Sequence, residues 1–174
     1  MLVLGIDPGS QRTGWGIVEE KSGILKLVSC GIIRTTTGSS AREPFSQRMA
    51  KIFLDLYEIV SKYSPRIAAV EQIFTAQNAQ SALKLGQARG AAIAACAAGG
   101  LEIHDYEPTL VKKSLTGTGR ADKEQVAFMV RHSLNIHQTE WALDTSDALA
   151  VAICHLSHYR LCNLIEKAGS QASG

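Results

Sequence analysis

The chain has 174 residues, 45% of them hydrophobic and 20% charged, with a formal net charge of +2. That length suits one compact domain with a sizeable core, and the near-neutral charge rules out a uniformly basic surface, so any basic patch has to come from clustering. The longest weakly polar run, Gly90 to Leu101, is too short to span a bilayer, and the start of the chain lacks the basic region and cleavage site of a secretory signal.

Val3-Leu4-Gly5-Ile6 is an apolar run halted by Asp7-Pro8-Gly9-Ser10, the pattern of a buried strand entering a tight turn. Asp7 is open to two readings: it bonds its own backbone, as Asp does in turns, or it holds a charged reacting group on a rigid strand end. Thr13 to Glu20 and Ile24 to Thr35 are rich in β-formers and are separated by Lys21-Ser22-Gly23, which predicts an antiparallel meander. Thr36 to Ala41 is a polar loop. Phe45, Met49, Ile52, Phe53, Leu56, Ile59 and Val60 recur at helical spacing, so an amphipathic helix is expected over Arg42 to Lys62, ended by Ser64-Pro65.

Ile67-Ala68-Ala69-Val70 repeats the opening arrangement, an apolar strand ending in an acid, here Glu71. Coming after a helix, it can lie parallel to the first strand by a right-handed crossover. Asp7 and Glu71 would then share one end of the sheet; the plainer reading of Glu71 is a solvated residue at a strand terminus. Asn78 to Gly99 predicts a long helix with Asn78 as N-cap. Ala82, Gly86, Gly90 and Ala94 follow at four-residue steps. Gly costs about 1 kcal/mol relative to Ala inside a helix, so these small residues imply a packing reason, either a second subunit or the protein's own sheet.

Leu101 to Tyr106 reads as a third parallel strand, stopped at Pro108, and Pro108 to Leu115 as a short helix. The loop Thr116-Gly117-Thr118-Gly119-Arg120 does not fit a phosphate-cradling P-loop, since Lys123 comes too late after Gly117. From Pro108 to His132 the five bases Lys112, Lys113, Arg120, Lys123 and Arg131 face two acids, Asp122 and Glu124, a local excess of three. Such a stretch is either simply solvated or grips phosphates. Asp122 to Leu134 is expected to be helical, and a last helix runs from Thr139 or Glu140 to about Leu164. In it Asp144 and Asp147 share a face, their repulsion partly offset by the helix dipole. The apolar run Ala148 to Ile153 places them where the helix enters the protein body.

Cys30, Cys96, Cys154 and Cys162 are scattered, mostly in apolar segments, as in reduced intracellular proteins. Cys154, His158 and Cys162, with His155 beside them, mimic metal-ligand spacing, but one straight helix rarely supplies a tetrahedral site, so an ordinary helix face is expected. The tail from Ala168 to Gly174 is small and polar and is expected to be disordered.

The chain holds 16 acids, so position is what singles out four of them: Asp7 and Glu71 at strand ends, Asp144 and Asp147 on a core-packed helix. Brought together, they raise one another's pKa values, and divalent cations relieve that repulsion. Mg²⁺ favours hard oxygen ligands, and two such ions roughly 4 Å apart stabilise the attacking and leaving oxygens of a displacement at phosphorus. The chemistry implied is phosphodiester hydrolysis.

Gly5-Ile6-Asp7-Pro8-Gly9-Ser10 with Thr13-Gly14, then Val70-Glu71-Gln72-Ile73-Phe74, then Asn78 to Gly90, then Asp144-Thr145-Ser146-Asp147-Ala148-Leu149-Ala150, resemble in order the RuvC family of bacterial Holliday-junction endonucleases. The likeness runs from about Leu2 to His158 without departure at the four acids. It implies an α/β, ribonuclease-H-like fold: a five-stranded mixed sheet, three antiparallel then two parallel strands, flanked by helices, in one nuclease domain over residues 1–167. It implies a homodimer that cuts opposed strands of a four-way DNA junction symmetrically, leaving 5′-phosphate nicks, in homologous recombination and DNA repair. It also implies work beside the RuvA–RuvB branch-migration complex, in the bacterial cytoplasm at the nucleoid.

As the resemblance carries over, Asp7, Glu71, Asp144 and Asp147 are the catalytic Mg²⁺ ligands, for two ions that Mn²⁺ can replace. Lys112 and Lys123 match the family's catalytic basic residues, expected to contact the scissile region and stabilise developing charge. Phe74 stacks on an unpaired base near the crossover, where the residue alone reads as core filler; Lys84, Arg89, Lys113 and Arg120 complete the expected DNA contacts. Two rival readings share the Asp-x-Gly turn or the fold: the actin and sugar-kinase ATPases, which need two such domains, and a smaller relative that processes ribosomal RNA precursors, not expected to carry the Asn78 to Gly90 motif. A third is a non-catalytic junction-binding module.

Overall fold

The computed structural model describes residues 1–36, 43–72, 78–136 and 143–172, with side chains omitted at residues 143–144 and 163–172. Three strands lead: β1 (Leu2–Asp7), β2 (Arg12–Lys21) and β3 (Ile24–Arg34). Helix α1 (Phe45–Tyr63) crosses to β4 (Ile67–Glu71), and α2 (Ala79–Ala98) crosses to β5 (Glu102–Tyr106). Helices α3 (Pro108–Thr116), α4 (Lys123–Ser133) and α5 (Leu143–Ala172) follow. One five-stranded sheet results, ordered β3-β2-β1-β4-β5. The β1–β2 and β2–β3 pairs are antiparallel, and β1–β4 and β4–β5 are parallel, as the pattern of runs and crossovers predicts.

Local chemistry accounts for the element ends. Ser22 and Gly23 both take positive φ, 54° and 84°, the geometry that joins twisted antiparallel strands in two residues. Ser64 ends α1 in the left-handed region at φ 50°, its N–H donating to the Val60 carbonyl. Asn78 caps α2 by accepting from the Ser81 N–H at 2.9 Å. Asp122 and Gln125 form a reciprocal capping box at the start of α4.

Strand alternation then assigns each side chain to a layer. Leu4, Ile6, Ala68 and Val70 face α1 and α2, packing on Ile52, Leu56, Val60, Ala88 and Ala92. Val3, Ile67, Ala69 and Tyr106 face the other way, onto Val111 and Leu115 of α3, Val126 and Val130 of α4, and Leu149 to Leu156 of α5. Asp7 and Glu71 are in phase with Val3 and Ile67, so both acids are directed to the α5 side of the sheet.

Helix α5 lies unusually close to β1. A Cβ added at Gly5 would come within 2.0 Å of the Ala148 carbonyl oxygen and 2.9 Å of the Ala152 Cβ. At Gly16 of β2 the nearest obstacle would be the Leu149 side chain, at 2.4 Å.

Four expectations change. The small-residue stripe Ala82, Gly86, Gly90 and Ala94 does not pack on the protein's own sheet: all four are exposed, and a Cβ at Gly86 or Gly90 would meet nothing within 4 Å. The buried face of α2 is instead Ala88, Ala92, Ala95 and Cys96. The last helix does not stop near Leu164, and the tail expected to be disordered from Ala168 is helical as far as Ala172. Nothing in that stretch breaks a helix, since it lacks proline and a single glycine costs only about 1 kcal/mol. The four cysteines are free, but Cys162 is exposed rather than buried. Helix α1 starts at Phe45 rather than at the expected Arg42, since Pro44 disfavours helical geometry at Glu43; the start expected for α5 at Thr139 or Glu140 lies outside the described residues. Among the described residues no helix is long and apolar enough to cross a membrane.

Substituting Gly5→Ala should destabilise the fold more than Gly16→Ala, because backbone blocks the first Cβ and a movable leucine the second. Overpacking of this kind costs about 1–3 kcal/mol, or several degrees of Tm in a domain this size. Thermal melts of the two variants check this, and equal Tm values would contradict the close helix–strand approach.

Candidate active site

The turn after β1 is held from outside the acid it carries. Thr13, fully buried, donates its hydroxyl to the Gly9 carbonyl at 2.9 Å and accepts from the Gly9 N–H at 3.3 Å. The Thr35 hydroxyl donates to the Ser10 carbonyl at 2.9 Å, and the Arg48 guanidinium donates to that same carbonyl and to Thr35 Oγ1. A Cβ at Gly9 would sit 2.1 Å from the Arg12 carbonyl oxygen, so only glycine closes the turn. Thr13 and Arg48 thus do the work a turn aspartate would otherwise do, and the Asp7 carboxyl is left for the cavity beside it.

That cavity, of about 290 Å³, is lined by Asp7, Glu71, Lys112, Lys123 and Asp147 together with the apolar Pro108, Val111, Val126 and Ala150. Register puts the two strand acids side by side: Ile6 pairs with Val70 across the parallel β1–β4 ladder, and each acid is the next residue. Asp147 enters from α5, whose approach at Gly5 sets its height above the sheet. Lys112 comes from α3 and Lys123 from the first position of α4, where Lys123 Nζ lies 3.1 Å from Asp147 Oδ2.

The electrostatics follow from the crowding. Burial raises the Asp7 carboxyl to about 8, reinforced by the Glu71 charge, a hydrogen bond with Glu71 and the Asp147 charge, and opposed by Lys123. Glu71 is also raised, first by burial; its hydrogen bond with Asp7 works the other way. Burial and crowding thus favour the protonated form of both strand acids. The third acid is neutralised by a lysine that is 66% exposed, an ion pair worth about 0–1 kcal/mol.

Among the described residues no three His, Cys, Asp or Glu side chains close around an ion, at this cavity or at Cys154, His158 and Cys162. The donor set at the cavity nevertheless fits a hard divalent cation. It is all carboxylate oxygen, its strand acids favour protons where a cation would be better, and its third acid borrows charge from a weakly held lysine. Asp144, the fourth expected ligand, lies in α5 four residues before Ala148, but its side chain is outside the described residues, as is Phe74 altogether.

The other expected DNA contacts are dispersed. Lys113 is exposed on α3 and Arg120 on the turn leading to α4. Lys84 is exposed on α2, and Arg89 is engaged by Asp105 of β5. Sequence reasoning missed the apolar wall of Pro108, Val111 and Val126. Its signal was the helical spacing of Val111 with Lys112 beside it and of Val126 with Lys123, which turns lysine and wall residue to one cavity.

A family model described as "Crossover junction endodeoxyribonuclease RuvC" matches residues 3–155. A relative of that name from Lawsonia intracellularis is 58% identical over 161 residues, covering 92% of this chain and 93% of the relative. The structure of Thermus thermophilus RuvC in complex with Holliday junction substrate superposes with a TM-score of 0.84 at 33% identity, covering 92% of this chain and 96% of the other. The yeast mitochondrial Holliday junction resolvase Ydc2 shares the fold, with a TM-score of 0.68 at 16% identity over 94% of this chain and 83% of the other.

A carboxyl raised in the folded state from 3.8 to about 8 binds a proton that the unfolded chain releases. Its contribution to stability is full below about pH 4 and is lost as pH rises toward about 8. In EDTA, Tm should therefore fall between pH 5 and pH 8, and Asp7→Asn should flatten that fall. Added Mn²⁺ should raise Tm more at pH 8 than at pH 6. A parent protein whose metal-free Tm is level across this range would contradict the buried, proton-binding pair.

Proposed function

This chain belongs to the RuvC family of crossover junction endodeoxyribonucleases, and from that premise we propose which of its groups perform junction cleavage and how. The protein is an endonuclease of crossover junctions in DNA, serving recombination and repair. Membership sets aside the ATPase and ribosomal RNA readings.

One observation supports the catalytic assignment: acids from β1, β4 and α5 line the same cavity as lysines from α3 and α4. Asp7, Glu71 and Asp147, with Asp144 from the same helix, are the ligands of a divalent cation. Mg²⁺ suits the oxygen-only donors, in two ions by the count of carboxylates, with Mn²⁺ able to replace it. Bound there, such ions supply water activation and charge neutralisation for in-line displacement at phosphorus.

The chain's own groups do the rest. Asp7 and Glu71 give up the protons that burial favours, so both carboxylates become ligands. Lys123 is released from Asp147 and, with Lys112, turns its charge to the scissile phosphate, where negative charge grows in the transition state. Pro108, Val111 and Val126 keep bulk water from one side and so strengthen each of these interactions. The bond to the 3′ oxygen breaks, leaving a 5′-phosphate on one side of the nick and a 3′-hydroxyl on the other.

Lys113 and Arg120 hold backbone phosphates beside the cavity, Lys84 and Arg89 contribute from α2, and Phe74 stacks on an unpaired base. Symmetric cutting calls for two copies of the site. The exposed stripe of Ala82, Gly86, Gly90 and Ala94, next to Leu83 at 63% exposure, is a surface on which a second α2 could pack closely. We propose a homodimer through it, working with the RuvA–RuvB complex at the nucleoid of the bacterial cytoplasm.

Labelled four-way junction, linear duplex and structured RNA, each with Mg²⁺ or EDTA, test this reading. Paired cuts in the junction alone, and only with the metal, are expected. Asp7→Asn should lower the rate by at least about a hundredfold with junction binding intact or tighter; cutting at the parent rate would refute the assignment. Lys123→Ala should reduce kcat on the order of a hundredfold with little change in affinity. A weaker complex whose salt slope drops by about one charge would instead make Lys123 a phosphate anchor.

A further inference from the structure

Tyr106 is the last residue of β5 and pairs with Glu71 across the parallel β4–β5 ladder. Its carbonyl accepts from the Gln72 N–H at 2.8 Å, so its backbone is tied to both sides of the catalytic glutamate. The side chain is in phase with Glu71 and faces α5. There its hydroxyl is hydrogen-bonded to His155 Nδ1 at 2.8 Å, a buried contact between residues 49 positions apart. His155 lies two turns beyond Asp147 on α5, about 12 Å along the axis.

The imidazole is fixed from several sides. The His104 ring lies 4.7 Å away and is itself bonded to Glu102, the Tyr159 ring stacks at 6.3 Å, and the His158 ring meets Tyr106 edge-on at 6.0 Å. Burial holds both partners neutral, pushing His155 down to about 4 and Tyr106 up to about 12. Whichever ring nitrogen carries the proton, Nε2 is buried and has no partner among the described residues. Burying an unsatisfied polar atom is costly. A leucine would fill the space without that cost, but it could not bond Tyr106.

Much of the remaining contact between α5 and the sheet is apolar: Ala148 and Ala152 ride over Gly5 and Leu149 over Gly16, and apolar burial is non-directional. A hydrogen bond is directional and fails within an ångström. We infer that the Tyr106–His155 hydrogen bond is a positioning device: it fixes α5 along the sheet and thereby sets the distance from Asp147 to Asp7 and Glu71. Neither residue touches the reacting atoms. The inference rests on the reading of those acids as the catalytic cluster.

Tyr106→Phe removes the hydroxyl alone. It should lower kcat for junction cleavage by tenfold or more, with KM and junction affinity unchanged, and weaken Mn²⁺ binding in the absence of DNA by about tenfold, read by calorimetry. The double variant Tyr106→Phe/His155→Leu makes the pair apolar, which can be nearly neutral for stability. It should regain the Tm lost in the single variant without regaining kcat or metal affinity. Tyr106→Phe cutting at the parent kcat, or a double variant that recovers kcat along with Tm, would overturn the inference, since stability alone would then explain the bond. Failure of the metal reading shows differently, as a parent protein that binds no Mn²⁺, and the kcat of Tyr106→Phe still decides the present question.

Discussion

The close approach of α5 to β1 at Gly5 is the constraint on which the site depends. Two of its acids are set by the sheet itself, since register fixes Asp7 and Glu71 as neighbours whatever the helices do. Asp147 has no such guarantee. It reaches the cavity because a strand residue without a Cβ lets the Ala148 carbonyl settle where a side chain would stand. Side chains normally hold a helix off a sheet's backbone; here a glycine on the strand and alanines on the helix reduce that gap. The apolar contact around that approach is non-directional, whereas the polar tie from β5 to α5 is directional.

The second theme is charge held in waiting. A buried carboxylate pair is unstable unless something neutralises it. Here protonation serves Asp7 and Glu71, and Lys123 serves Asp147. Both arrangements are weak in a useful way: a proton held at about 8 leaves near neutral pH when a cation competes, and an exposed lysine swings away at small cost. If these acids hold cations as proposed, the stability given up by burying like charges is recovered on binding.

Function also draws on surfaces the core leaves alone. The exposed stripe on α2 costs helix stability through two glycines and returns none inside the monomer, which is what an intermolecular contact would look like from one partner. The turn between α3 and α4 lies on the opposite layer of the sheet, and Lys113 and Arg120 are exposed there.

Much of this was legible in the sequence because it is local. Apolar runs broken by Asp-Pro-Gly and by Glu71 defined strands that end in acids, Asn78 and Asp122 marked helix starts by side chains that bond the next turn, and period-two alternation sent Asp7 and Glu71 to one face. Tertiary structure alone decided the rest. Whether the α2 stripe faced sheet or solvent depended on which alanines the sheet selected, and a helix with small residues on several sides offers no amphipathic clue. The Lys123–Asp147 and Tyr106–His155 pairs join residues 24 and 49 positions apart, and no periodicity encodes such distances. Sequence dictates elements and their faces through steric and hydrogen-bonding rules spanning a few residues; the gaps between elements, which set the chemistry of an acid cluster, arise only when the layers pack.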